Sequence, residues 1–322
     1  MSMGMFPSKP LWYCVVSLFV IDAIWLIQTN FSLMLASYFP VPIALILLAA
    51  TAWFYTYRRP VPGFSMLAVA MIYIVLLTNS AAVYSYFITS LNLPLLDAQF
   101  ATIDASLMFN WTAFLSWVND RPALGWTLTW AYRSSILQVF VLLLALGFAQ
   151  RKACLTEFLT LFTFTMLVIV TLAGLLPSEG AYAFHLPAAE TFANLNQEAG
   201  MWHHQYFVGL RDGSLRTISF AKTEGLVTFP SFHTALAIIT AYCFRDFRFV
   251  FPAAVLLNSV VVVSTLTEGG HYLVDVLAGA AITAFAIAGY RSLNRGSVGL
   301  SNLDFGIPGE HSVAPTIQST SR

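Results

Sequence analysis

The chain has 322 residues, of which 58% are hydrophobic and only 9% charged, and its mean hydropathy is +0.74. Soluble domains carry about 25% charged residues, so the composition excludes a water-soluble globular enzyme and predicts an integral membrane protein with several spans. Net charge is zero, which leaves no electrostatic footprint for nucleic acid.

A helix needs about 20 residues to cross ~30 Å of hydrocarbon. Eight apolar runs are candidates, at about 11–28, 40–57, 64–88, 124–149, 153–176, 230–245, 249–267 and 271–290. The fold class expected is all-α, a polytopic membrane helix bundle of about eight transmembrane helices. The first run lacks a small-residue cleavage site and reads as a retained helix rather than a signal peptide. Cys14, Cys154 and Cys243 fall within or at the ends of spans, which argues against a disulfide framework.

An even count puts both termini on one side, and the basic residues say which. With a cytoplasmic N-terminus, the inner segments hold Lys9, Arg58, Arg59, Arg151, Lys152, Arg245, Arg248, Arg291, Arg295 and Arg322. The outer segments hold Arg121, Arg211, Arg216 and Lys222, and Arg133 lies inside the fourth run. The expected location is the plasma membrane, multi-pass, with both termini cytoplasmic.

Two outer segments are long. Residues 89–123 are apolar with sparse acids, Asp97 and Asp104, and with Trp111 and Trp117; they read as a helix lying in the interface. Residues 177–229 are polar and punctuated by Gly and Ser, and predict a loop with short helices. They carry His185, His203 and His204. The tail 296–322 is rich in Ser, Thr, Gly and Pro and reads as disordered and cytoplasmic.

Chemistry concentrates between Phe229 and Asp275. His233 follows Pro230-Ser231-Phe232, and His271 follows Gly269-Gly270 with Asp275 four residues on. In a helix that spacing places imidazole and carboxylate one turn apart on one face. The carboxylate can then hold one ring nitrogen as a donor and leave the other as nucleophile or base. Ser231 stands where a helix N-cap is expected, and a helix start favours a phosphate. Both histidines begin outward-facing ends of spans, on the side of Arg211, Arg216 and Lys222. The stretch suggests phosphoryl transfer through histidine at the outer face.

These residues resemble the type-2 phosphatidic acid phosphatase superfamily, the lipid phosphate phosphatases. Its second and third motifs are matched by Pro230-Ser231-Phe232-His233 and by Ser264-Thr265-x5-His271-x3-Asp275. Phe232 replaces the family's Gly, Thr265 replaces its Arg, and no Lys-x6-Arg-Pro segment occurs. The surrounding sequence looks most like the inositol phosphorylceramide synthase branch. The resemblance implies a six-helix phosphatase or phosphotransferase core over 64–295, with two added helices in 1–63. It implies His271 as nucleophile, Asp275 as its orienting group and His233 as proton donor to the leaving oxygen. Ser231 with Lys222, Arg216 or Arg211 would hold the phosphate, with Arg133 a further source of the missing guanidinium. Lipid phosphates or phospholipids would be the substrates, with no metal and no cofactor.

Plainer readings compete. A single histidine at a helix end is ordinarily interfacial, His271-x3-Asp275 has metal-ligand spacing but lacks a third ligand, and loop histidines such as His203 and His204 are ordinarily solvated. Asp97 and Asp104 are possible partners of Arg133. Three function classes remain open: a phosphatase, a phosphotransferase with an alcohol acceptor, and a lipid transporter or scramblase.

Overall fold

In the computed structural model the chain is described over residues 6–185, 192, 194–195, 200–201, 203–219 and 226–301. All eight apolar runs are helical. Helix α1 is Lys9–Gln28, α2 Pro40–Trp53 and α3 Pro62–Thr89; α4 (Asp97–Ser106) and α5 (Trp111–Asn119) follow, then α6 (Pro122–Arg133), α7 (Ser135–Phe148) and α8 (Lys152–Leu175). Short helices α9 (Ala181–His185) and α10 (His204–Asp212) lead to α11 (Phe232–Cys243), α12 (Phe251–Ser264) and α13 (Leu273–Ser301). The expected interfacial helix over 89–123 is thus two helices, the second capped by Asn110, whose side chain accepts from Ala113 N at 2.9 Å. The last helix runs through the expected start of the tail to Ser301, and 302–322 lie outside the described residues.

Among the described residues, five helices are long and apolar enough to cross a membrane by themselves: α1, α2 with its extension over 35–58, α3, α8 and α13. Helices α6 and α7 make a sixth only as a pair bent by 45°. The break follows Arg133, so the charge inside the fourth run stands at a helix end. Helices α11 and α12, with 12 and 14 residues, span about 18 and 21 Å. The chain is an integral membrane helix bundle, but its sixth and seventh runs form short helices.

Apolar spacing explains the packing. On α1 the buried positions Leu11, Val15, Leu18 and Asp22 make one stripe, and Asp22 is matched there by the Ser80 hydroxyl of α3. The main core joins α1, α3, α7, α8 and α11 through Tyr73, Leu77, Leu142, Phe158 and Ile239. Helix α11 packs on α8, α12 and α13, while α2 buries none of its residues and leans on α3.

The bundle has two distinct ends. One gathers Phe6 under Lys152, the Glu157–Arg245 ion pair at 2.5 Å, the Arg151–Asp246 pair at 3.0 Å, and Arg291 over Tyr242. The other gathers both long inter-helix segments. There β1 (Ser32–Leu33) pairs in parallel with β2 (Thr217–Ile218), Leu96 N donates to Pro177 O, and Arg211 donates to Leu93 O at 2.7 Å. The segments read as inner and outer therefore sort to opposite ends. With the native cysteines replaced, Ser214→Cys and Phe249→Cys should react with an impermeant maleimide from opposite sides of sealed vesicles; labelling of both from one side would contradict this arrangement.

Candidate active site

The site forms where α11 and α13 begin. At α11, Ser231 is the N-cap: its Oγ accepts from Thr234 N at 3.3 Å and from Thr234 Oγ1 at 3.1 Å. This is what Ser before an apolar helix does, and it fixes His233 in the first turn. His233 Nδ1 meets the Tyr132 hydroxyl at 3.2 Å, and the two rings stack at 4.4 Å. Phe232, on the neighbouring helix face, packs on Phe162 of α8 with ring centroids 5.8 Å apart. It fills the bundle core.

His271 and Asp275 meet at the start of α13, but not through the helical repeat that the spacing suggested: His271 lies two residues ahead of Leu273, and the carboxylate of Asp275, in the first turn, reaches back to it. Asp275 Oδ2 accepts from His271 Nδ1 at 3.2 Å and from Tyr272 N at 3.0 Å. His271 is 3% and Asp275 0% exposed, while His233 keeps part of its surface open. The two motifs are joined by the main chain: Ser231 N donates to Asp275 O at 3.0 Å. Gly279 permits this approach, because a Cβ there would collide with Ser231 O.

The turn before His271 is held from several directions. Gly270 has φ +62°, and a Cβ on it would stand 2.9 Å from the Tyr182 ring; its carbonyl accepts from Ala181 N at 2.8 Å. Trp111 Nε1 donates to Leu266 O at 3.1 Å and the Tyr182 hydroxyl to Thr267 O at 2.8 Å. The aspartates of α4 are used here and not on Arg133. Asp104 accepts from Leu273 N at 2.8 Å and Val274 N at 2.9 Å, capping α13 from another element. Asp97 takes the Ser178 hydroxyl at 2.7 Å, the Gly180 amide at 3.2 Å and the Tyr272 hydroxyl at 3.1 Å.

The acidic neighbour of Arg133 is instead Glu268, a buried residue that sequence reasoning did not single out. Its Oε1 accepts from Thr129 Oγ1 at 2.6 Å. Burial raises its carboxyl, with Thr129 and Arg133 opposing. An acid between an apolar helix and Gly269-Gly270 was the available signal. Arg211 lines a separate pocket with Glu179, Phe207 and Asp212, and Arg216 lies over the Phe31 ring at 4.8 Å. Neither has a hydrogen bond or ion pair to His233, His271 or Asp275 among the described residues. Lys222 lies outside them. No cluster of three metal-ligating side chains occurs among the described residues.

Fold and site together define a polytopic membrane protein with a buried histidine–aspartate pair joined through the backbone to a second histidine. The model of the PAP2 superfamily matches residues 98–289, from within α4 to within α13, so the chain belongs to that superfamily. This makes it a membrane enzyme of the phosphatase and phosphotransferase type. No curated protein and no solved structure matches.

Asp104→Ala removes two hydrogen bonds to the start of α13. Loss of a cap costs about 0.5–2 kcal/mol, so turnover should fall by about 2- to 30-fold with the helical content unchanged by circular dichroism. Asp104→Asn, which keeps one carbonyl acceptor, should fall less; equal activity in all three proteins would show that the cap does not position the site.

Proposed function

We propose that the chain is a lipid-phosphate phosphatase acting through a phosphohistidine on a phospholipid or isoprenoid phosphate at the outer face of the plasma membrane. The observation that carries this is the His271–Asp275 pair, held against the helix start that bears His233 by the Ser231 N–Asp275 O bond. Asp275 accepts from Nδ1 and so leaves the Nε2 lone pair of His271 to attack phosphorus. As the imidazolium forms, the carboxylate stabilises it. His233 protonates the leaving oxygen, and water then cleaves the phosphohistidine. The first-turn amides of α11 are suited to the equatorial oxygens, with Arg133, next in sequence to the Tyr132 that meets His233, a source of the guanidinium charge that Thr265 lacks. The basic residues crowd the end away from the histidines, which supports an outer site under the positive-inside rule.

One observation favours a second reading, transfer of the phospho-headgroup to an alcohol in the manner of the inositol phosphorylceramide synthase-like branch. His271 is almost fully buried, and a site that admits little water favours a docked acceptor. Of the aromatic residues that might shape such a pocket, Tyr182 and Phe184 pack near His271, while Tyr206 and Phe207 join a separate core with Phe31 and Phe87. Trp202 lies outside the described residues.

Purified protein should release phosphate from at least one of a panel of lipid phosphates and diphosphates, in EDTA and with inhibition by vanadate. An absolute, metal-specific requirement for activity would overturn the mechanism. Asp275→Asn should lower kcat roughly 10²–10⁴-fold without unfolding. His233→Ala should be least impaired on substrates with the best leaving groups, because only protonation of the leaving oxygen is lost. An added alcohol lipid that becomes phosphorylated at the expense of free phosphate would decide for transfer.

A further inference from the structure

The outer segment carries a histidine that the two-step reaction above leaves unused. His203 lies just before α10, where the sequence reads as solvated loop, yet it is 8% exposed. Its Nε2 is buried with no hydrogen-bond partner among the described residues. A buried ring nitrogen without a partner is costly and points to a ligand group.

The fold seats this histidine beside His271. Gly200 packs on Gly270, the residue before His271: a Cβ on Gly270 would stand 3.3 Å from Gly200 Cα, and Tyr182 fills the angle between the two glycines. On the other side, His204 Nε2 pairs with Glu179 Oε2 at 3.0 Å. The Glu179 amide donates to Asp97, which also holds the Tyr272 hydroxyl. Segment 200–204 is thus anchored to both flanks of the His271 turn. The lowering of the His203 ring by His271 accords with this placement. The Gly200–Gly270 contact thus sets His203, three residues after Gly200, on the His271 side of the site.

We propose that His203 is a phosphoryl-binding residue, donating its Nε2–H to an equatorial oxygen of the phosphoryl group carried by His271. The proposal rests on the phosphohistidine reading above. In this role His203 supplies one of the donors that the third motif lost when Thr265 took the place of arginine. Burial, reinforced by His271 and His204, holds its ring down to about 4. At neutral pH it is then a neutral imidazole with one N–H to give, a hydrogen-bond donor in place of a second full charge. A preorganised donor of this kind acts in both half-reactions, because the equatorial oxygens carry the developing charge in each.

Vanadate is the probe, because it forms a five-coordinate adduct and needs no knowledge of the lipid. Its dissociation constant would be measured for the full chain in detergent by thermal shift, for the wild type, His271→Ala, His203→Ala and His203→Gln. Loss of binding in His271→Ala tests the phosphohistidine reading itself; unchanged affinity there, or none in the wild type, removes that reading and this proposal with it. With that control in place, His203→Ala should weaken vanadate at least 10-fold, and His203→Gln, which keeps an N–H donor, should regain most of the loss. Wild-type affinity in His203→Ala, or a Gln variant as weak as Ala, would overturn the assignment. The unliganded melting temperature of each variant, which a purely packing role would shift, should stay at the wild-type value.

Discussion

Everything at the site depends on how the turn from Leu266 to Asp275 is held. Such a turn, with two adjacent glycines and with Glu268, His271 and Asp275 all buried, has little intrinsic preference for one conformation. Here its main chain is tied to α5 through Trp111, to α9 through Ala181 and Tyr182, to α4 through Asp104, and to α11 through Ser231. Four elements distant in sequence thus fix the one place where imidazole and carboxylate must meet. Orientation bought before substrate arrives does not have to be supplied by substrate binding.

The short helices give this arrangement its setting. Phe232 touches Phe162, and α8 continues for roughly 20 Å of helix beyond that contact. Helix α11 therefore begins well below the end of α8, and the histidines at the starts of α11 and α13 are recessed from the end of the bundle that gathers the long inter-helix segments. Residues of α4, α5 and α9, with Gly200, pack on the turn that carries His271. A lipid entering from the bilayer could bring its headgroup to the histidines while its chains stay in hydrocarbon. Water reaches such a site less freely than it reaches the surface, so the choice between hydrolysis and transfer rests on the cover as much as on the histidines.

Much of this was legible in the sequence because it is local. The eight apolar runs and the Ser before α11 express a helical repeat and a cap, and the runs are helical and Ser231 is the N-cap; His271 and Asp275 also meet, but with His271 ahead of the helix rather than one turn along it. What was not legible depends on contacts between distant residues. Asp97 and Asp104 read as partners for Arg133 because only their charge is visible in sequence; their backbone-capping role needs the fold. Glu268 and His203 looked unremarkable beside a stronger motif, and their burial follows from how the outer segments close. The sixth run already reads as short, but the break after Arg133 and the brevity of α12 escaped hydropathy, which reports that a run is apolar but not where its helix bends or stops.

The account stands most directly on the covalent intermediate. Protein incubated with a turned-over lipid labelled in the transferred phosphoryl group, quenched under alkaline conditions and digested, should yield one base-stable, acid-labile phosphopeptide with phosphate on His271, absent from His271→Ala and accumulating when the acceptor step is slowed. Phosphate on another residue, or full turnover by His271→Ala, would contradict it.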